Sequence, residues 1–308
     1  MFRRCGLGVA GMALAVAAAG AGPAFGVNYS FMTVDYPGED VTVINGISGG
    51  TIVGFFEDSN GTQGFMEAGG VFTPIDDPLQ SPNGTSANGI SGNTVVGWYN
   101  DANTGAGFHG FSETGGKFTT LNATGAVNGT YANGISGGTI VGYYYDGGSV
   151  QHGFSLTAGT YSPLMVPGST ATAANGIDGG TIVGGFRNGS VTHGFMDIAG
   201  TITQLDDPLA NGYTSANGIS GSTVVGVFGD SISRHGFVET GGVYTTLDDP
   251  LALPGNTYAM GIDGNTIVGY YNDSAGSHGF IATPVPEAAS AGALCVGALV
   301  LIRRRRIG

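Results

Sequence analysis

Ala132-Asn133-Gly134-Ile135-Ser136-Gly137-Gly138-Thr139-Ile140-Val141-Gly142-Tyr143-Tyr144, followed by Gln151-His152-Gly153-Phe154, is the stretch whose reading decides the fold. Its first glycine recurs at Gly46, Gly89, Gly134, Gly176, Gly218 and Gly261, at spacings of 42 to 45 residues. The Gly-Phe pair recurs at Gly64-Phe65, Gly110-Phe111, Gly153-Phe154, Gly194-Phe195, Gly236-Phe237 and Gly279-Phe280. Self-similarity at this period marks an array of supersecondary units.

Each unit resolves into four strand signals. Strand A carries Asn-Gly-Ile. A Gly-Gly or Gly-Asn pair follows, which suits the left-handed backbone of a type I′ hairpin turn. Strand B is Thr-Ile/Val-Val-Gly plus aromatics, as at Thr94-Val95-Val96-Gly97-Trp98-Tyr99. After a variable Asp/Asn/Gly/Ser loop, strand C carries His-Gly-Phe. A second glycine turn, such as Gly115-Gly116, leads to strand D, such as Lys117-Phe118-Thr119-Thr120-Leu121. Four short strands in about 43 residues is the size of a propeller blade.

The strand count gives the closure. The sixth A–B–C set ends near Phe280-Ile281-Ala282-Thr283 with no D strand after it. Phe31-Met32-Thr33-Val34-Asp35-Tyr36-Pro37 instead resembles a D strand with its exit, as at Tyr244-Thr245-Thr246-Leu247-Asp248-Asp249-Pro250. A ring closed by the first strand leaves no unpaired edge at the ends, whereas an open solenoid would want capping repeats. The expected fold is therefore all-β: a six-bladed β-propeller of four-stranded blades, the last completed by the N-terminal strand.

Composition agrees. Of 308 residues 60 are Gly, without a Gly-X-Y period, which excludes collagen. Hydrophobic residues make up 41%, which argues against disorder. Between residues 27 and 283 the only basic residues are Lys117, Arg187 and Arg234, against 21 acidic ones, a formal charge of −18. Such a surface excludes nucleic acid as partner and repels anionic headgroups; neutral glycans or cations suit it better. Cys5 and Cys295 both lie in terminal apolar segments, so the repeat region has no disulfide or cysteine metal site.

The ends read as addresses. Arg3 and Arg4, an apolar run from about Cys5 to Ala19, and Ala24-Phe25-Gly26 make a secretory signal peptide over residues 1–26. At the other end, over 284–308, Val285-Pro286-Glu287 precede a 15-residue apolar run, Ala288 to Ile302, and then Arg303, Arg304, Arg305 and Arg306. The run is shorter than the roughly 20 residues of a full span, and the arginines would stay cytoplasmic. This layout resembles the PEP-CTERM sorting signal of exopolysaccharide-producing Gram-negative bacteria, with Ala288 where that motif has a second proline. The resemblance implies an exosortase-type processing enzyme as partner, a transient membrane anchor through the C-terminal helix alone, and a destination at the cell surface, outer envelope or outside the cell. The repeats over about 29–283 resemble HAF-type extracellular repeats, with Gly for Ala in the third element. That resemblance implies location and architecture and no activity.

All five histidines, His109, His152, His193, His235 and His278, precede the Gly-Phe pair, with Gln63 in the first unit. A metal ring would need them within about 2 Å of one ion. A third strand lies roughly 10 Å beyond the innermost one, so the expected role is structural, a hydrogen bond to a turn in each blade. The Asp-Asp-Pro-Leu segments at Asp76-Asp77, Asp206-Asp207 and Asp248-Asp249, and the B–C loop residues Asp58, Asp101, Asp146, Asp230 and Asp273, read as turn formers. No cofactor is expected; calcium is the cation such loops would suit. Repeated glycines in strand B, such as Gly97 and Gly142, read as sites of close packing. Among the aromatics after them, Trp98, Tyr145 and Tyr271 are the candidates for stacking on a sugar.

Two functions follow. The leading one is a non-enzymatic surface or matrix protein binding glycans, exopolysaccharide or surface proteins. The alternative is a secreted carbohydrate-active enzyme on a propeller scaffold. A glycosidase needs two carboxylates converging on one bond, and nearly all acids here recur at repeated turn positions, which favours the binder.

Overall fold

A computed structural model of the chain describes residues 28–80, 84–101 and 107–285. The expected signal peptide, and all of the expected sorting signal beyond Val285, lie outside the described residues. Among the described residues every regular element is a strand, and no helix is long and apolar enough to cross a membrane.

The strands form antiparallel meanders. The first unit is β2 (Thr42–Ser48), β3 (Thr51–Asp58), β4 (Gly61–Ala68) and β5 (Val71–Pro74). The second is β6 (Thr85–Ser91), β7 (Thr94–Asp101), β8 (Gly107–Thr114) and β9 (Lys117–Leu121). The third is β10 (Thr130–Ser136), β11 (Thr139–Tyr145), β12 (Gln151–Thr157) and β13 (Thr160–Leu164). Two further meanders are β14 (Ala171–Asp178) to β15 (Thr181–Asn188), β16 (Val191–Ile198) and β17 (Thr201–Leu205), and β18 (Tyr213–Ser220) to β19 (Thr223–Gly229), β20 (Arg234–Thr240) and β21 (Val243–Leu247). The last sheet contains β22 (Thr257–Asp263), β23 (Thr266–Asn272) and β24 (Ser277–Pro284), and its outer strand is β1 (Tyr29–Val34). The closing pair is antiparallel along its whole length, from Tyr29 opposite Pro284 to Val34 opposite Gly279. Val285 adds one more bond, its N–H donating to Asn28 O at 2.8 Å.

The result is an all-β propeller with four four-stranded sheets and one eight-stranded sheet. This departs from the six separate blades that the repeat predicts. The meanders β14–β17 and β18–β21 share a sheet through a single parallel pairing, Thr192 with Tyr213, backed by the Thr192 N–H bond to Gly212 O at 3.1 Å. Among the described residues the same kind of contact recurs between other neighbouring units as isolated bridges, Val41 to Ser277 and Arg234 to Asn256.

The repeat motifs explain the packing. Phe65, Phe111, Phe154, Phe195, Phe237 and Phe280, from the Gly-Phe pairs, are all at most 1% exposed. Burial of each removes enough apolar surface to contribute about 1.5–3 kcal/mol. The strand-B glycine makes room for them: a Cβ on Gly97 would stand 2.8 Å from the Phe111 ring and 2.0 Å from Ser86 O. Turn chemistry splits in two. Gly137 and Gly138 both have positive φ, 55° and 83°, as a type I′ turn requires. In the Gly92-Asn93 pair only the glycine does, at 57°, which is the pattern of a type II′ turn and spares the asparagine a left-handed backbone.

Candidate binding site

The innermost strands β2, β6, β10, β14, β18 and β22 pack in sequence around a channel, and β22 packs back on β2. Each carries a β-bulge at the same place, between Ile44 and Gly46 in β2 and between Ala132 and Gly134 in β10, for example. A bulge leaves one residue unpaired and re-aims its side chain. That residue is Asn45, Asn88, Asn133, Asn175 or Asn217. Each asparagine donates its side-chain amide to a carbonyl of the next unit: Asn45 to Ala87 O (3.0 Å), Asn88 to Ala132 O (3.1 Å), Asn133 to Ala174 O (3.1 Å), Asn175 to Ala216 O (3.0 Å) and Asn217 to Ala259 O (3.0 Å). The glycines behind them touch around the ring: a Cβ on Gly46 would lie 3.2 Å from the Gly89 Cα, and one on Gly261 would lie 3.2 Å from the Gly46 Cα. The sixth bulge holds Met260, which has no amide to donate.

The channel encloses about 310 Å³ and is lined by these Asn-Gly-Ile segments together with Trp98 and Tyr143. The two aromatics stand just after the strand-B glycine, where the other four units have Phe55, Gly185, Val227 and Tyr270; of the six, Trp98 and Tyr143 line the channel, so the lining is uneven. Trp98 meets Phe108 (5.2 Å) and Tyr131 (6.1 Å) edge-on. Tyr131 stacks on Tyr143 at 4.8 Å, and Tyr145 stands edge-on to both. Burial raises the Tyr131 hydroxyl to about 12 and the Tyr143 hydroxyl further, with the neighbouring tyrosines adding to each shift. These phenols stay neutral donors at any physiological pH. Trp98 and Tyr145 are half-buried and joined by Tyr131, which the sequence reading did not single out because it lies in strand A. Tyr271 is a correction: it is 3% exposed, its hydroxyl bonds Thr33 Oγ1 at 3.2 Å, and it offers no face to a ligand.

The histidines do not converge. Each lies on the third strand of its unit and stacks on an aromatic of the second, as His109 on Tyr99 (5.3 Å) and His193 on Phe186 (5.1 Å). In four units Nδ1 donates to the residue just after the outer strand: Asn122 for His109 (2.7 Å), Asp206 for His193 (2.8 Å), Asp248 for His235 (2.9 Å) and Asp35 for His278 (3.0 Å). His152 instead uses Nε2, on Asp146 of the B–C loop, at 2.9 Å.

The carboxylates are likewise engaged in turns. Asp77, Asp207 and Asp249 are buried and accept the N–H of Leu79, Leu209 and Leu251. Burial raises all three pKa values, partly offset by those N–H bonds. Glu67, Glu113 and Glu239 accept the N–H of Gly70, Gly116 and Gly242 in the C–D turns. Asp146, Asp230 and Asp273 hold the B–C loops through backbone N–H groups. Among the described residues no three His, Cys, Asp or Glu side chains gather as a metal would require.

No protein-family model matches the chain, and no curated protein matches it by sequence. Among solved structures it is similar to TolB from Acinetobacter baumannii, with a TM-score of 0.52 and 11% identity over 77% of this chain and 64% of that one. The chain thus spans less than two thirds of TolB. It is also similar to an AofleA mutant from Arthrobotrys oligospora, with a TM-score of 0.50 and 12% identity over 82% of this chain and 92% of that one. At such identities the likeness establishes a shared propeller fold.

Proposed function

We propose that this is an exported, non-enzymatic surface protein that binds neutral glycan at the aromatic side of its central channel. One observation carries the reading. Trp98, Tyr131, Tyr143 and Tyr145 gather at one place, and Trp98 and Tyr143 line the channel there, while the acids that keep the repeat are engaged in turns and with histidines. Aromatic faces with polar tips, next to side-chain amides in a channel, suit a ring that presents both C–H and hydroxyl groups. The unevenness supports a single site rather than one per unit.

The same proposal includes six blades, with the eight-stranded sheet acting as two. The closed ring of six glycines supports this count, as does the single residue pair that joins the two meanders. It also includes sorting to the cell surface through the segment from Val285 onward, supported by the motif and by the emergence of Val285 beside Asn28 at the ring's edge.

A neutral glycan array probed with the full chain tests the binding. Saturable binding is expected, weakened at least tenfold by Trp98→Ala and also by Tyr145→Ala, with no turnover of a glycosidase substrate panel. Turnover abolished by one Asp or Glu substitution in a folded protein would replace this reading with the enzyme. Binding unchanged in both aromatic variants would remove the site.

A further inference from the structure

Two of the three basic residues of the acidic domain line one groove. Arg187 lies near the end of β15 and Arg234 opens β20, and both face a groove of about 610 Å³ between neighbouring units, with Tyr213, Ser190, Asn211 and Asn256. That volume is in the range of small-molecule sites.

The three central residues each break the repeat. At the position of Arg187 the other units have Glu57, Asn100, Tyr145, Gly229 and Asn272. At that of Arg234 they have Thr62, Phe108, Gln151, Thr192 and Ser277. At that of Tyr213 they have Val41, Gly84, Gly129, Ala171 and Asn256. Every position tolerates many residue types, so the fold does not demand these. They are nevertheless built into place. The Arg234 guanidinium lies 3.6 Å over the Tyr213 ring, a cation–π contact that fixes the planar group. Gly229 leaves the room: a Cβ there would stand 2.5 Å from Arg234 Nη1. The Arg234 backbone N–H is held by Gly255 O at 2.7 Å.

Among the described residues neither arginine has an acidic partner. Among the described residues every ion pair within 4 Å has a histidine as its basic member. The acid in the groove, Asp230, is engaged: its Oδ1 accepts the N–H of Ile232 and Ser233, and its Oδ2 lies 3.5 Å from His235. Two unpaired guanidiniums in a domain of strong negative charge form a local positive site whose planar forks match a carboxylate. The hydroxyl and amide side chains beside them match sugar hydroxyls and leave no apolar pocket for peptide side chains.

We propose that this groove binds the carboxylate of an acidic sugar, held by Arg187 and Arg234, with the ring hydroxyls on the Ser and Asn side chains. The site is separate from the channel and independent of the neutral-glycan reading. The acidic field around it favours one isolated carboxylate over a densely charged polyanion.

Calorimetric titration of the full chain carrying Trp98→Ala, which weakens the proposed channel site, with galacturonate and with neutral galactose as control tests this. Expected is saturable binding of galacturonate at least tenfold tighter than galactose. It should weaken at least tenfold when Arg187→Ala or Arg234→Ala is added, and less with Arg187→Lys. Arg187 is exposed, so an unaltered melt of Arg187→Ala would assign its loss of binding to the groove. Equal affinity for the neutral sugar, absence of binding, indifference to both arginine variants, or equal binding of an acidic peptide or a sulfated sugar would each overturn the proposal.

Discussion

His278 and Asp35 lie 243 positions apart in the chain and 3.0 Å apart in space. The bond joins the exit of the first strand to the last, at the point where the ring closes. Burial of His278 alone would lower its pKa. The hydrogen bond and charge of Asp35, with Asp273 beyond, outweigh it and raise the value above the ordinary one.

The sign of the pH dependence follows. A raised histidine contributes stability that is complete below its unfolded value of about 6.5 and is lost as pH rises through the raised one. Asp273, lowered by the N–H groups of Ala275 and Gly276 and by His278, contributes above about pH 4 and loses that contribution in acid. Melting temperature should therefore fall as pH rises from 6 to 8, and His278→Gln should flatten that limb. A limb of unchanged slope in the variant would show that the clasp does not titrate.

The closing strand should be necessary for cooperative unfolding. Phe31 packs edge-on against buried Phe280 at 5.4 Å, and removal of residues 28–36 would leave β24 as an exposed edge. The truncated chain should lose its single sharp transition in denaturant. Phe31→Ala should keep the transition but lose on the order of 2 kcal/mol, since Phe31 is only partly buried. An unchanged melt of the truncated chain would show that the ring does not depend on the clasp.

Met260 interrupts the asparagine links at one of six junctions, the one between β22 and β2. Met260→Asn places an amide toward Ile44 O, the carbonyl equivalent to Ala87 O, and should stabilise by about 0.5–1.5 kcal/mol. Asn133→Ala removes an existing link and leaves the Ala174 carbonyl without that donor, so it should cost about 1–3 kcal/mol. Urea midpoints of both variants check the pair. A destabilised Met260→Asn would mean that the thioether packing outweighs the missing bond.

Ala158 and Ala199 occupy the first position of C–D turns with φ of 48° and 50°, where three other units place Gly69, Gly115 and Gly241. A left-handed alanine costs about 1–2 kcal/mol of strain, and glycine's unfolded-state entropy returns part of the gain. Ala158→Gly and Ala199→Gly should each raise stability by about 0.5–1 kcal/mol, read from thermal melts. A loss would mean that glycine's entropy exceeds the relieved strain.

Local patterning made the strands, turns and closing pair legible, because period, turn glycines and a missing outer strand all survive in one sequence. The strand-B glycines were likewise readable as sites of close packing, but not that the Gly-Phe rings are what they make room for. The asparagine ring was not: Asn-Gly-Ile resembles a turn signal, and only the bulge turns Asn133 toward Ala174. The shared eight-stranded sheet rests on one pair, Thr192 with Tyr213, which no pattern encodes. Tyr271 was read alongside Tyr145, yet it stands one position earlier in its unit, where strand alternation buries it. The Arg187–Arg234 groove stayed hidden because its residues come from different units and meet only across a junction.

The register of the closing pair also sets how the ring bears force. Asn28 and Val285 are hydrogen-bonded neighbours, and Tyr29 faces Pro284. A load applied between these two ends peels β1 from β24 one rung after another, starting at the loaded rung. A load carried by one end alone, as from a tether beyond Val285, bypasses most of those rungs. Held from one side, the ring resists tension; gripped by both, it opens like a zip.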